Sequence, residues 1–378
     1  MNSNFKKPIL LYTLILVFSF CFLTSCTGEK NANSGKDVTG EQKYAELLSI
    51  AKFPEYTKVE VKTDKRQSKP VATYILVDRN RPVPADLPSG EVIKVPLQSA
   101  VLSTTVHAEA FKELNSLGII KGVTDASFFT TPEIKKGLLD KTIADVGTLQ
   151  SPSVENLIAL KPDAVIINLY EGMDSQGVSG RNVKYVKFAE NLESTPLGRA
   201  EWLRFIGLLT GEEHRADSIF NKTVENYEAL KKKVAAVEKK PKVISETMYE
   251  GVWYMAAGDS YAARLLSDAG ADFPWASNKG TGSLSLSFEE VLAKGGDASY
   301  WLIKSFGPMT KQKLLASDKR YSRFKALDAG GVYYSDTSSS RYFEDTPFHP
   351  DRLLKDYLII FHPELLPGDT LTYFRQLQ

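Results

Sequence analysis

Aromatic, hydroxyl and charged side chains follow several predicted strands of this 378-residue chain, at the strand ends where ligands bind in open α/β sheets. In the first half the candidates are Thr104, Thr105, His107, Tyr170 and Glu171. In the second half they are Tyr249, Trp253, Tyr254, Lys304, Phe306, Arg341 and Tyr342. Aromatic faces suit a flat macrocycle or an aromatic chelate, and a few charged groups fix its carboxylates. Any one of these residues could equally be an ordinary surface or core residue, because pockets use few polar groups.

The sequence has no motif for catalysis or for direct metal binding. Neither H-E-x-x-H nor a cysteine cluster occurs, and the four histidines are scattered: His107, His214, His349 and His362. Tyr333 and Tyr334 could be iron ligands, but one of two adjacent strand residues points inward in any case. The glycine-rich loop 280–283 lacks the spacing of a phosphate-binding loop, and no G-x-S-x-G elbow is present. We therefore expect no catalytic residue, no cofactor and no directly coordinated metal.

The stretch Asp145 to Gly172 contains the loop, helix and strand that would position one edge of a binding site. Ser153 is a suitable N-cap for a helix whose apolar residues recur at roughly helical spacing. Pro162 ends that helix, because proline disfavours helical geometry in the preceding residue and cannot continue the hydrogen-bond ladder. Ala164 to Leu169 is a short apolar run rich in β-branched residues, which is typical of a strand covered on both faces.

The composition fits a globular protein with material for two domains. It is 43% hydrophobic and 25% charged, with a formal net charge of +1. A nucleic-acid partner would need a basic face, so this near-neutral charge argues against one.

Residues 1–26 have the pattern of a lipoprotein signal peptide. Two lysines precede the apolar run 8–22, which is too short to be a confident spanning helix. Cys26 ends a run that resembles the bacterial lipobox, in which the cysteine is diacylated and becomes the first mature residue. The alternative is an ordinary signal peptide that happens to contain a cysteine. Because Cys21 lies in the removed segment, the mature chain would have neither a free thiol nor a disulfide.

The remaining chain divides into five predicted segments: a polar tether at 27–41, an accessory extension at 42–91, an N-terminal lobe at 92–195, linking helices at 196–240 and a C-terminal lobe at 241–378. In the extension we expect a short helix at 42–51 and a hairpin formed by 57–63 and 72–77. The predicted fold class is α/β, with two Rossmann-like parallel-sheet lobes joined by one long helix and a small N-terminal β extension. Each lobe repeats a helix opened by a glutamate, a strand and a loop on the ligand side.

Several of these features resemble the Fe/B12-type periplasmic binding proteins, the solute receptors of ABC importers for iron chelates, haem and vitamin B12. They are Gly147 before a polar loop, Glu155 at the helix start, and LKPD at 160–163 before an apolar strand. The run PLGRAEW at 196–202 is close to a stretch of the lipoprotein branch of that family. The resemblance covers roughly Pro96 to the C-terminus. It implies the class III fold, a chelated iron or cobalt ligand bound between the lobes, and lobes that move little because one helix bridges them.

In the resembling family each lobe presents a surface glutamate that docks on arginines of the membrane permease. The matching residues are Glu155 and Glu289, with Glu290 as a competitor for the second position. The alternative is an ordinary acidic residue in a helix's first turn, where the helix dipole favours it. The implied partners are the permease with its ATPase, the membrane through the lipid anchor, and a small metal chelate. We expect a monomer.

Two other functions stay open on the same scaffold: a chelate-processing enzyme, and a stand-alone capture or sensor lipoprotein. Turnover of a bound chelate would favour the enzyme, whereas simple saturable binding would not. Thr27 and Gly28 precede the lone Glu29, so no acidic residue follows Cys26 directly. Some bacterial lineages use acidic residues at this place as a signal for export to the cell surface, and their absence here favours retention on the periplasmic side. We therefore expect a lipid-anchored protein that faces the periplasm, or the outside of the cell.

Overall fold

A four-stranded sheet precedes the two lobes in the computed structural model, which describes residues 42–170 and 183–378. Its strands lie side by side in chain order: β1 (Leu48–Lys52), β2 (Thr57–Val61), β3 (Ala72–Asp78) and β4 (Glu91–Val95). β2 and β3 are antiparallel, which confirms the predicted hairpin, and β4 runs parallel to β3. The predicted boundary between residues 91 and 92 therefore falls inside β4, a strand of this sheet and not of the first lobe.

The helix predicted at 42–51 is wrong, because this segment leads into β1 instead. The backbone N–H groups of this segment donate to two buried carboxylates, those of Glu193 (2% exposed) and Glu201 (0% exposed). Glu193 accepts from Glu46 and Leu47. Glu201 accepts from Lys43, Tyr44 and Ala45. Such charge-assisted bonds outweigh a weak local helical preference.

The first lobe is built on a parallel sheet. Its strands are β5 (Ala100–Leu102), β6 (Ile120–Val123), β7 (Ala144–Asp145), β8 (Ala164–Asn168) and β9 (Tyr185–Phe188), in the spatial order β7-β6-β5-β8-β9. Its helices are α1 (Thr105–Glu113), α2 (Pro132–Leu139) and α3 (Val154–Leu160). Ser153 caps α3 by accepting from the N–H of Asn156, and Lys161, at φ +43°, ends it. The predicted strand at 164–169 corresponds to β8, which is almost wholly buried.

Three helices follow the first lobe: α4 (Pro196–Glu201), α5 (Leu203–Thr210) and α6 (Glu213–Val234). Thr195 caps α4, with Pro196 at the first helical position. Gly211 adopts φ +76° between α5 and α6, a conformation that suits glycine. The 22-residue α6 matches the predicted linking helix, and its last turn carries three lysines that complement the helix dipole.

The second lobe contains a mixed sheet and a small antiparallel sheet. Its strands are β10 (Val243–Ser245), β11 (Met248–Tyr249), β12 (Val252–Ala256), β13 (Ser283–Leu286), β14 (Tyr300–Ser305), β15 (Val332–Asp336) and β16 (Arg375–Gln376). The main sheet has the order β10-β14-β15-β16, and only β16 runs antiparallel to its neighbour. β11, β12 and β13 form the small sheet. The helices are α7 (Tyr261–Asp268), α8 (Phe288–Gly295), α9 (Lys311–Ser317), α10 (Lys325–Asp328), α11 (Tyr342–Asp345) and α12 (Pro350–Phe361).

Two large hydrophobic cores organise the described chain. The N-terminal sheet and the first lobe share one core, in which Tyr74 of β3 packs near Phe205 of α5. The second core lies in the other lobe, where Trp253, Trp301 and Phe324 form an aromatic cluster. Helix α6 packs against both α5 and α12, and so connects the two cores. Within residues 42–170 and 183–378, no helix is both long and apolar enough to cross a membrane.

Candidate ligand-binding cleft

A cavity of about 310 Å³ lies where the strands of both lobes end. The first lobe contributes Asn168, the last residue of β8, and Glu190, which follows β9. The second lobe contributes Glu246, which follows β10, and Lys304 of β14. Arg199 of the linking helix α4 adds a second cation to the lining. The carboxyl ends of parallel strands in α/β sheets commonly form such sites, and the volume lies within the range for small-molecule pockets.

Buried polar groups form the first-lobe wall of the cavity. Asn168 lies opposite Phe188 in the parallel pair β8–β9, which brings Glu190 beside it. The amide of Asn168 donates to Glu190 Oε1, and His107 Nε2 lies 3.5 Å from the same oxygen. Burial alone would raise the pKa of Glu190, but these His107 and Asn168 contacts outweigh it and lower the pKa. Glu190 is therefore a carboxylate at neutral pH.

Two cations face the cavity from the linking helix and the second lobe. Arg199 stacks on the Tyr261 ring, with its guanidinium carbon 4.0 Å from the ring centroid, and donates to the carbonyl of Asn191 at 2.7 Å. Lys304 pairs with Glu246. Burial would lower the pKa of Lys304, but the Glu246 charge raises it, so the lysine stays protonated. Glu246 holds its position in a left-handed conformation, at φ +65°.

Aromatic rings cover much of the second-lobe wall: Tyr261, Tyr342, Phe343, Tyr357 and Phe374. Tyr342 contacts Phe343 and Phe374 edge-on, with ring centroids 5.4 and 6.0 Å apart. Lys304 Nζ lies 5.8 Å from the centroid of the Tyr342 ring. The cavity therefore combines aromatic surfaces with a few charged groups.

Of the residues predicted from the sequence, Lys304 and Tyr342 line this cavity. His107 is fully buried behind Glu190. Three further candidates, Thr104, Thr105 and Arg341, contact other parts of the protein and do not line the cavity. Thr104 caps α1, Thr105 Oγ1 lies 3.4 Å from Thr130 Oγ1, and Arg341 pairs with Glu109 of α1.

The structure corrects the prediction for Trp253. This side chain was expected in the cleft, but it is 0% exposed in the second-lobe core, where its indole N–H donates to the carbonyl of Ser245 at 2.9 Å. Side chains alternate along β12, so Trp253 and Met255 face the core while Tyr254 faces solvent. The sequence located the strand, but not which of its faces is buried or that Trp253 lies near the start of the strand and not at its carboxyl end.

The other aromatic candidates are exposed and do not line the cavity. Tyr249 and Tyr254 project from the small sheet, and Phe306, which follows β14, is 93% exposed. Tyr170 follows β8 and is 47% exposed. Glu171 and the predicted lipidation site Cys26 lie outside the described residues.

Sequence reasoning missed Asn168, Glu190, Arg199, Glu246 and Tyr261. Three of these carry a signal of position, because Asn168, Glu190 and Glu246 stand at or just beyond the carboxyl ends of β8, β9 and β10. Arg199 and Tyr261 carry no such signal. They reach the cavity only because α4 and α7 pack beside it.

The two proposed docking glutamates occupy matching surface positions. Glu155 and Glu289 are both exposed, and each is the second residue of its helix, α3 or α8. Glu290 instead closes a capping box, accepting from the backbone N–H and hydroxyl of Ser287 at 2.7 and 2.8 Å. Glu289 has one weak partner, Arg320 Nη1 at 3.4 Å. Of the two competitors, Glu289 is therefore the one available to a partner.

Polar contacts join the lobes beside the cavity. Glu109 and Glu113 of α1 pair with Arg341 and His349 of the second lobe, the latter at 2.7 Å. Glu113, Asp345 and His349 place possible metal-ligand atoms within 4.8 Å of one another. However, Arg352 Nη1 lies 2.7 Å from Asp345, so a guanidinium already supplies the positive charge in this group. We interpret it as an ion-pair network between the lobes.

Residues 108–338 match the model of a family described as periplasmic binding protein. An uncharacterised lipoprotein of Methanocaldococcus jannaschii is 24% identical over a 406-residue alignment that covers 97% of this chain and 96% of the relative. The crystal structure of a periplasmic heme binding protein from Pseudomonas aeruginosa has a TM-score of 0.57 at 18% identity, covering 75% of this chain and 98% of that one. That of Helicobacter pylori CeuE with Ni(II) bound has a TM-score of 0.56 at 17% identity, covering 74% and 88%. These likenesses confirm the predicted fold class.

Proposed function

The chain belongs to the periplasmic binding protein family, and on that premise we propose that it is the substrate-binding lipoprotein of an ABC importer. Its substrate is a chelated iron or cobalt complex, such as a siderophore, haem or a corrinoid. The observation that carries the proposal is the cavity between the two lobes, where strand ends from both sheets meet. Binding there is non-covalent, and the protein delivers its ligand without altering it.

The lining supports a chelate more than a sugar or a free ion. Aromatic rings such as Tyr342 and Phe343 offer flat apolar surfaces to an aromatic ligand or macrocycle. The cations Arg199 and Lys304 are already engaged, one with Tyr261 and the other with Glu246. A bare metal ion would need several free ligand atoms in one place, and the cavity is instead largely aromatic.

Delivery requires a permease and its ATPase. Glu155 and Glu289 are the residues that we propose dock on permease arginines, since both are exposed at equivalent helix starts. We propose that Cys26 carries a lipid that holds the body at a bacterial membrane, facing the periplasm or the outside. The M. jannaschii relative, which matches nearly the whole chain, is itself named a lipoprotein. A monomer suffices, because each chain carries its own cavity and both glutamates.

The lobes should change their relative orientation little on binding. Helix α6 packs against α5, whose side chains lie in the first core, and against α12 of the second lobe. The Glu109–Arg341 and Glu113–His349 pairs join the lobes beside the cavity. A hinge of this kind resists wide opening, so the cavity is largely formed before the ligand arrives.

Calorimetric titration of the purified protein tests the proposal. Haem, a corrinoid and ferric siderophores are titrated separately, with maltose and Zn²⁺ as controls. We expect saturable binding of at least one chelate with one site per chain, and no chemical change in the recovered ligand. Tight binding of the sugar or of Zn²⁺, with no response to any chelate, would contradict the ligand class. Turnover of a bound chelate would favour an enzyme.

A further inference from the structure

The first-lobe wall of the cavity contains buried hydrogen-bond acceptors without a donor. Among the residues that the structure describes, Glu190 Oε2 and Asn168 Oδ1 are both buried and have no hydrogen-bond partner. Glu190 is only 1% exposed as a residue, yet it lines the cavity. A buried carboxylate oxygen without a donor is costly, and most buried polar atoms in native proteins are paired. These two oxygens therefore point to a donor supplied by the ligand.

One buried donor on the lining is also unpartnered. Arg199 Nε has no acceptor among the described residues, although the other end of its guanidinium donates to Asn191. A ligand that carries both donor and acceptor groups would satisfy the oxygens of Glu190 and Asn168 and the N–H of Arg199. A carboxamide has this pair of functions, because its NH₂ donates and its carbonyl oxygen accepts.

The charges of the described lining balance. Glu190 and Glu246 contribute two negative charges, and Arg199 and Lys304 contribute two positive ones. A ligand edge that carries carboxylates would place like charge against Glu190 in a poorly solvated site, which is strongly unfavourable. A neutral edge avoids this repulsion.

We propose that the cavity selects an electrically neutral chelate whose edge carries carboxamide groups, with amide N–H bonded to Glu190 and Asn168 and amide carbonyl to Arg199. The inference rests on the proposed function, because it assumes that this cavity is the chelate site. It separates amide-bearing corrinoids from haem, which carries two carboxylates, and from anionic catecholate siderophores. Glu190 thereby becomes a specificity-determining residue.

The sharpest test compares two corrinoids that share cobalt and macrocycle. Dicyanocobinamide carries carboxamides, whereas dicyanocobyrinic acid carries carboxylates at those positions. Calorimetry with the full-length mature protein at neutral pH should give a Kd at least about tenfold lower for the amide form. The reason is that the Glu190 carboxylate accepts a hydrogen bond from an amide N–H but repels a ligand carboxylate. Haem and a ferric tris-catecholate, titrated in parallel, should bind as weakly as the acid form or more weakly.

The variant Glu190→Gln keeps the size of the side chain and removes its charge. We expect this variant to raise the Kd for dicyanocobinamide about fivefold and to lower the Kd for dicyanocobyrinic acid. The ratio of the two Kd values should therefore move closer to one. Glu193→Gln is the matched control. It alters an equally buried carboxylate that binds the N-terminal segment outside the cavity, and it should leave that ratio unchanged. If Glu190→Gln does not fold, the wild-type comparison of the two corrinoids still decides the matter.

The outcomes separate the two proposals. Equal or tighter binding of the acid form, of haem or of the catecholate would overturn the amide preference and leave the chelate-binding function standing. The amide preference is likewise overturned if Glu190→Gln and Glu193→Gln shift the ratio alike. Failure of all four compounds, and of the other ferric siderophores titrated under the proposed function, would overturn that function itself.

Discussion

Glu155 and Glu289 are each the second residue of a short helix that begins after a serine N-cap and leads towards an inner strand of its lobe's sheet. The first lobe places its glutamate before β8 and the second lobe before β14. Neither side chain lines the cavity. The chain thus separates an exposed glutamate, repeated once in each lobe, from the candidate ligand-binding cleft.

Reversing both glutamates should abolish docking without loss of ligand binding. The double variant Glu155→Lys, Glu289→Lys would set lysines against the proposed permease arginines, and repulsion costs more than the loss of an attraction. We expect no co-purification with the cognate permease, and a ligand Kd within a few-fold of wild type. The control Glu225→Lys, Glu228→Lys makes the same charge change on exposed residues of α6 and should dock normally. Normal docking by the first variant would refute the two-surface interpretation.

Cys26→Ala should release the protein from the membrane. Without the thiol no diacylglyceryl group can be attached, so the variant should appear in the soluble periplasmic or culture fraction. Fractionation and labelling with radioactive palmitate provide the measurement, with wild type as the reference. A variant that stays membrane-bound and labelled would show that Cys26 is not the lipid attachment site.

Trp253→Ala should lower the stability of the protein, whereas Phe343→Ala should lower its ligand affinity. Trp253 is fully buried among aromatic side chains, so its removal should cost about 3–5 kcal/mol of unfolding free energy, while the folded protein keeps its ligand affinity within a few-fold. Phe343 is half-exposed on the cavity wall, so its removal should weaken the ligand about tenfold at little cost in stability. Urea unfolding and calorimetry measure the two quantities. If Trp253→Ala lost ligand affinity without losing stability, Trp253 would have to be assigned to the binding site after all.

Asp163 should contribute stability that depends on pH. Burial alone would raise its pKa, but bonds from the N–H of Gln98 and from Arg79, which follows β3, lower it. The contribution is therefore complete above the unfolded-state pKa of about 4 and is lost as the pH falls through the folded-state pKa. Asp163→Asn should cost about 1–2 kcal/mol at pH 7, given the partial exposure of the pair.

Urea unfolding of wild type and Asp163→Asn from pH 7 down to acidic pH provides the measurement. The stability difference should shrink as the carboxyl is protonated. Asp86→Asn, at an exposed position, is the control and should change little at any pH. A difference that stays constant down to acidic pH would mean that the charge of Asp163 is not what stabilises the protein.

Local patterns in the sequence were sufficient for the elements that depend on neighbouring residues. Ser153 as an N-cap, the helix end before Pro162, the buried strand β8 and the hairpin of β2 and β3 all follow from capping, proline geometry and periodicity. The family features near Gly147 and LKPD indicated the two-lobe class, because they mark a loop, a helix and a strand that adjoin one another in the sequence. Lys304 was a candidate because the end of a parallel strand is a general place for ligands, and it does line the cavity.

Contacts between distant segments decided the rest. Residues 43–47 have no helix because carboxylates about 150 positions away accept their N–H groups. Trp253 and Tyr254 are neighbours on one strand, and only the packing of β12 against the second-lobe core selects which of them is buried. Glu190, Asn168 and Arg199 become one polar group through the pairing of β8 with β9 and the packing of α4 beside them. A single sequence shows each residue's chemistry, but the tertiary structure sets which groups share a cavity and which remain without a partner.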